Sequence, residues 1–275
     1  MGKTYLPPLA LVRESAAGED ADFNERFRRE RLKRWAYGVR NGMSLLSLMG
    51  FRLGLSDSLT FQGVRVPASD NQVTCRIIED IWMRGEYDLP GFIPQPGWRV
   101  VDIGGNVGIF AMLAASRGAR VISYEPFPET YERLRVNTRR WDVQCHHAAV
   151  VGRAAGPVRL FVHQRHTRNS LLPPEPGQGE EAFAAGIVEV PSVSMAGVLA
   201  TPCDLLKVDC EGSEFDLFAQ AGDSLRHASR IIAEVHAHAG DPDTLAGYVR
   251  DSGFAVELHA PYPGTSFSLL TAVRR

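Results

Sequence analysis

The chain has 275 residues, of which 44% are hydrophobic and 23% charged, enough apolar material for one large α/β domain with an appendage or for two small domains. This composition excludes a coiled coil, a collagen-like repeat and a disordered tail protein. A formal net charge of −2 argues against a dedicated nucleic-acid binder, and no apolar run approaches the roughly 20 residues of a membrane span.

The first residues, Met1 to Pro8, contain no apolar signal core, and the four cysteines (Cys75, Cys145, Cys203, Cys210) form no Cys-x-x-Cys pair. Both features read as a cytoplasmic protein with reduced thiols. From Arg26 to Arg40 the chain is crowded with Arg and Lys, and Leu32, Trp35, Val39, Met43 and Leu46 fall on one predicted helical stripe. Residues 1–60 are therefore expected to form a basic helical extension. Such a helix caps its own domain or a partner subunit, which would make a homo-oligomer, or it lies on an anionic surface.

Residues 61–275 alternate short β-branched runs with helical patterns, the signature of a mostly parallel sheet covered by helices on both faces. The expected strands are Arg99 to Ile103, Arg120 to Glu125, Val143 to His147, Leu205 to Asp209 and Ile231 to Val235, with a terminal hairpin of Phe254 to Leu258 and Phe267 to Val273. Helices are expected over Val107 to Arg117, over the stripe Phe127, Tyr131, Leu134, Thr138 and Trp141, and from Asp241-Pro242 to Gly253. A loop or hairpin insertion near 156–192 interrupts the alternation. Its tip, Leu172 to Glu181, reads first as disorder and second as a lid.

Asp102-Ile103-Gly104-Gly105-Asn106-Val107-Gly108 joins the first of these strands to a helix, and Glu125 ends the next strand. Glycines at such a turn admit a ligand to the backbone, and an acid at Glu125 can accept from two ribose hydroxyls. A carboxylate at Asp102 would repel a pyrophosphate and attract an ammonium or sulfonium group. That charge argument favours S-adenosylmethionine over a nicotinamide dinucleotide, and the glycine spacing also departs from Gly-x-Gly-x-x-Gly. Asp102, Gly104, Gly105, Asn106, Gly108, Glu125 and Phe127 are the expected cofactor-binding residues, with Phe127 reading equally as cover for the adenine or as core.

Further motifs carry a resemblance. Gly85-Glu86-Tyr87-Asp88, the Asp102 to Gly108 turn, Tyr124-Glu125-Pro126, the block Leu206-Lys207-Val208-Asp209-Cys210-Glu211-Gly212-Ser213-Glu214, and Glu234-Val235-His236 occur in that order. Together they resemble the FkbM family of methyltransferases, from roughly Asn71 to Phe254. The resemblance implies a class I, Rossmann-like methyltransferase fold, an S-adenosylmethionine cofactor, and transfer to a hydroxyl of a sugar or secondary metabolite. Gly105 replaces the family's usual Ala, a change expected to be harmless, and Ser194 to Leu199 replaces a segment that usually carries an acidic pair.

Acceptor-side groups are expected at the carboxyl ends of the middle strands. His236 suits a general base near neutral pH, though an imidazole that merely hydrogen-bonds a carboxylate is an even alternative. Glu234 and Asp209 complete the expected catalytic set, in which Glu234, His236 and His238 share one face of an extended segment. A divalent metal there is an option not favoured, because no fixed ligand spacing is visible. The acceptor is a small-molecule hydroxyl, or else an amine. A nicotinamide-dependent oxidoreductase and a non-catalytic adenosine-ligand module are the rival classes.

Overall fold

The computed structural model describes residues 36, 38–39, 42–67, 77–153, 156–163, 169–173, 186–259 and 267–275. They fall into two compact units, one ending at Glu86 and the other beginning at Tyr87.

In the first unit, helix α1 (Leu45–Arg52) leads into a hairpin of β1 (Ser58–Phe61) and β2 (Val64–Pro67). Gln62 and Gly63 close the hairpin with φ of 49° and 85°, the positive pair that lets a two-residue turn follow the strand twist. Leu59, Phe61 and Val66 are buried on this hairpin. The expected stripe from Leu32 to Leu46 is not one continuous helix. Gly42 takes φ of 102°, and Met43 bridges to Phe61. Ser44 then caps a new helix, its hydroxyl accepting from the Ser47 amide, which leaves Leu46 81% exposed. The part of the stripe before residue 36 lies outside the described residues. An extension ending at residue 60 would also cut β1 from its hairpin partner β2.

The second unit opens with β3 (Arg99–Ile103), α2 (Ile109–Ser116), β4 (Arg120–Glu125), α3 (Pro128–Thr138) and β5 (Val143–His147). There follow β6 (Ala149–Val151), β7 (Val158–Phe161), β8 (Ile187–Val190), β9 (Ser192–Ser194) and the single turn α4 (Met195–Val198). The chain ends with β10 (Leu205–Val208), α5 (Glu214–Ala221), β11 (Arg230–His236), α6 (Pro242–Asp251), β12 (Phe254–His259) and β13 (Phe267–Arg274). One sheet takes the order β12-β13-β11-β10-β3-β4-β5. Pairing is parallel from β11 across to β5, and β13 runs antiparallel to both its neighbours.

Burial explains the apolar character of these strands. Val101, Leu206, Val208, Ile231 and Val235 are packed under Leu217 and Phe218 of α5 and Leu245 and Val249 of α6. Helix α2 is buried from Ile109 to Ala115, so its small and apolar residues face protein all round. Between β5 and β10, β6 and β9 pair in parallel while β7 and β8 form an antiparallel hairpin. Leu160, Val162 and Val190 anchor that hairpin against Phe127 and Ala149. The strand order reverses between β3 and β10, and ligands of open α/β sheets bind beside the carboxyl ends at such a point. No helix among the described residues is long and apolar enough to cross a membrane.

Candidate active site

The turn after β3 is shaped by its own chain. A Cβ on Gly104 (φ 77°) would lie 1.7 Å from the Asp209 carbonyl oxygen, and one on Gly105 would lie 2.0 Å from Ser123 Oγ. Gly108 (φ 87°) has no room either, since a Cβ there would come within 2.8 Å of Leu134 Cδ1. These glycines are thus required by packing against β10, β4 and α3, whatever ligand approaches. The replacement of the family's Ala by Gly105 is coupled to Ser123 and is not neutral in this chain.

The amides of the turn are also spoken for. Gly104 and Gly105 donate to the Tyr124 carbonyl at 3.0 and 2.9 Å, and Gly108 donates to Gly105 at 2.9 Å. Asn106, in the left-handed region at φ 47°, donates its amide to Glu125 Oε2 at 2.8 Å and turns its Oδ1 to the Val107 amide at 2.7 Å. A phosphate cradle needs such amides open, so the turn disfavours a dinucleotide for this reason.

The charge argument built on Asp102 is corrected by its burial. Asp102 is 0% exposed. Its Oδ2 accepts from Ser123 Oγ at 2.7 Å, and the Lys207 ammonium stands 3.1 Å from Oδ1 without an aligned hydrogen bond. Lys207 itself is 3% exposed, donates to the Gly104 carbonyl at 3.0 Å and lies 5.7 Å from the rings of both Tyr87 and Phe110. Burial pulls its pKa down, but the carboxylates of Asp102, Asp209 and Glu234 outweigh this and hold it above its ordinary value. Asp102 therefore spends its charge on Lys207 inside the sheet.

A cavity of about 600 Å³, counting its open mouth, lies beyond these strand ends. Gly104, Asn106, Tyr124 and Glu125 line one side, and Asp209, Cys210, Glu211 and Ser213 the other. Leu160, Asn169 and Leu171 of the insertion supply a third wall. Glu125 accepts from the amides of Asn106 and Phe127 and from Thr130 Oγ1. Its burial outweighs those bonds and raises its pKa. Asn169 takes the His163 amide on Oδ1 at 2.9 Å, which fixes its amide orientation and leaves Nδ2 buried with no acceptor among the described residues.

A second cluster gathers where β10 and β11 end. Glu214 Oε1 accepts from both the backbone amide and Nδ1 of His236 at 2.8 Å, and Oε2 accepts from the Gly212 amide at 2.9 Å. His236 Nε2 faces Glu211 at 3.6 Å and Glu234 at 3.9 Å. Tyr87 donates its hydroxyl to Glu234 Oε1. Burial lowers the His236 pKa, but the Glu214 hydrogen bond and the charges of Glu214, Glu211 and Asp209 prevail and raise it to about 9. Those carboxylates favour the protonated imidazole, which weighs against the expected general base there. Glu211 is held by a left-handed backbone, φ 51°, and its carbonyl accepts from Ser170 Oγ at 2.7 Å.

The structure brings Gly104, Asn106 and Glu125 to the cavity with Asp209, and sets His236 and Glu234 beside Asp209. Phe127 is not at the cavity. It is 6% exposed and packed in the insertion's apolar cluster. His238 falls beyond the end of β11, so it does not extend the strand face of Glu234 and His236, although its ring meets His236 at 5.6 Å. Sequence reasoning assigned no role to Lys207, Tyr87 or Ser123. Lys207 had a signal, a lone cation inside an apolar strand, since such a residue is buried only when paired.

Fold and site together define a class I methyltransferase, with its seven-stranded sheet and a cavity at the β3–β10 switch point. The Methyltransferase FkbM domain matches residues 102–256, and the chain belongs to that family, whose members it joins as an S-adenosylmethionine-dependent methyltransferase. The hexuronic acid methyltransferase AglP of Haloferax volcanii is 23% identical over 201 residues, covering 67% of this chain and 78% of AglP. The 31-O-demethyl-FK506 methyltransferase FkbM of Streptomyces tacrolimicus is 26% identical over 219 residues, covering 66% and 82%. A third relative, the AMB antimetabolite synthetase AmbE of Pseudomonas aeruginosa, is 25% identical over 239 residues, and the chain spans 71% of itself but only 11% of AmbE.

Proposed function

We propose that the protein transfers a methyl group from S-adenosylmethionine to a hydroxyl of a sugar or secondary metabolite, with the cavity at the β3–β10 switch point as its cofactor site. One observation carries this reading. A nearly buried carboxylate, Glu125, lines the same cavity as Asn169, whose Nδ2 is buried and has no acceptor among the described residues. An unpaired buried donor costs about 1–3 kcal/mol, and a nucleoside with ring nitrogens and ribose hydroxyls offers acceptors for Asn169 and donors for Glu125. The carboxylate of Asp209 at the cavity's rim suits the positively charged amino-acid end. The names of AglP and FkbM, a hexuronic acid methyltransferase and a 31-O-demethyl-FK506 methyltransferase, support oxygen as the acceptor atom.

When bound, S-adenosylmethionine supplies an electrophilic methyl group on a sulfonium. The chain's own residues hold, orient and take a proton. Glu125 and Asn169 fix the nucleoside, and Asp102 acts from within the sheet by holding Lys207 under the Gly104 carbonyl. The Glu214 bond and the carboxylates around His236 make it a poor base, so the acceptor's proton passes to a carboxylate that borders the cavity, Glu211. Glu234 and His236 act as positioning residues behind it.

The test is methyl transfer from isotopically labelled cofactor to a panel of uronic acids, macrocyclic alcohols and small amines. Label on oxygen is expected, with Glu211→Gln losing most turnover while keeping cofactor affinity. Label on nitrogen alone would move the protein to the amine reading, and full turnover in Glu211→Gln would remove that residue.

A further inference from the structure

We propose that Asp209, Glu234 and His236 form a divalent transition-metal site at the carboxyl ends of β10 and β11, serving the transfer proposed above. One ligand atom from each residue lies within 4.8 Å of the other two. His236 Nε2 stands 3.9 Å from Glu234 Oε2, too long for a hydrogen bond. Ligands about 2.0–2.2 Å from one shared ion sit about 3.0–4.2 Å from each other, depending on the angle between them. His236 and Glu234 stand within that range, and Asp209 has a ligand atom within 4.8 Å of both.

His236 Nε2 and the Asp209 carboxylate have no hydrogen bond among the described residues. His236 has a side chain only 4% exposed, and its Nε2 bonds to nothing among the described residues while facing carboxylates at 3.6 and 3.9 Å. Asp209 Oδ2 has the Lys207 ammonium at 3.7 Å, beyond hydrogen-bond reach, and that ammonium stands closer to Asp102 at 3.1 Å. When no ion is present Nε2 turns a proton toward those carboxylates, and a divalent ion that displaces the proton would lie within reach of the same groups.

The surroundings orient these groups as metal ligands are oriented. Histidine ligands give their second ring nitrogen to a carboxylate, which fixes the tautomer and the ring. Glu214 does this for His236 Nδ1 at 2.8 Å, and is itself fixed by the amides of His236 and Gly212. Glu234 takes the Tyr87 hydroxyl. One imidazole with two carboxylates selects a first-row transition ion over calcium or magnesium, which prefer all-oxygen shells. Three protein ligands leave at least one position open, and Asp209 borders the cavity. An ion there would ease loss of a proton from an acceptor hydroxyl, a group otherwise as reluctant to ionise as water.

The test uses the full chain, stripped with chelator and dialysed, without cofactor at neutral pH. Mn²⁺ is titrated by loss of the free-ion paramagnetic resonance signal, and Zn²⁺ by calorimetry. One ion per chain is expected, with affinity at least tenfold weaker in Asp209→Asn and in Glu234→Gln. Glu214→Gln should weaken it about 10- to 100-fold as a second-layer partner. Wild-type protein that takes up no Mn²⁺ or Zn²⁺ overturns the proposal, whatever the variants do. Uptake that survives both ligand substitutions in folded protein overturns it as well. Adenosylhomocysteine binding is measured on the same samples. Protein that binds the nucleoside but no ion loses this site and keeps the methyltransferase reading, whereas the reverse pattern keeps the site and removes the reading.

Discussion

Asp102 and Lys207 occupy paired positions on the adjacent parallel strands β3 and β10, and their charged groups meet at 3.1 Å with both side chains almost fully buried. Removing one partner of a buried ion pair strands the other charge, at a cost of about 3–5 kcal/mol. Lys207→Met should therefore destabilise the protein by about that amount in urea unfolding. The double variant Asp102→Asn/Lys207→Met should recover most of it. A single variant within about 0.5 kcal/mol of wild type would contradict a pair that is intact in the folded state.

The contact between the Gly105 position and Ser123 predicts a second coupling. A methyl at residue 105 would sit 2.0 Å from Ser123 Oγ, and overpacking of this kind costs about 1–3 kcal/mol. Gly105→Ala should be destabilised accordingly. With Ser123→Ala already in place, adding Gly105→Ala should cost less than about 0.5 kcal/mol more. Equal penalties in both backgrounds would show that the hydroxyl is not the obstacle.

Asn169 separates binding from folding. Its Nδ2 has no acceptor among the described residues, while its Oδ1 takes the His163 amide, so Asn169→Ala should cost no more than that one bond, about 0.5–1.5 kcal/mol. The same variant should bind adenosylhomocysteine about tenfold more weakly, the worth of one well-made hydrogen bond. Unchanged affinity by calorimetry would place that amide outside the cofactor's reach.

The His236–Glu214 pair sets a pH dependence, best measured in chelator-treated protein. The folded pKa of His236 is about 9, above the roughly 6.5 of an unfolded histidine. A raised pKa means that the folded state binds the proton more tightly. The stabilisation is complete below pH of about 6.5 and is lost as pH rises through about 9, amounting to about 3 kcal/mol. Glu214 is lowered by the same partner, after its burial is outweighed, so its share is lost instead as pH falls below about 4.5. Thermal melts across that range should show the alkaline fall in wild type and a flattened profile in His236→Gln.

Much of the second unit was legible because its strands are short apolar runs ending in acids, and its glycines punctuate strand-to-helix turns. The terminal hairpin of β12 and β13 followed from the same alternation. Position within the sheet was not legible. Nothing in the one-dimensional pattern says that Asp102 points between Lys207 and Ser123, because cross-strand register depends on the fold. The proton on His236 was hidden for a related reason. It depends on Glu214, which reads as an acid in a helix first turn until the fold brings it to the ring. Asn169 belongs to the insertion, where periodicity gives no element, and only tertiary packing shows it as a wall of the cavity.

The most direct measurement is calorimetric titration of adenosylhomocysteine into the wild-type protein and into Glu125→Ala. One site per chain is predicted, with affinity at least tenfold weaker in the variant. No heat in wild type, or equal affinity in both proteins, would contradict the placement of the cofactor in the cavity that Glu125 lines.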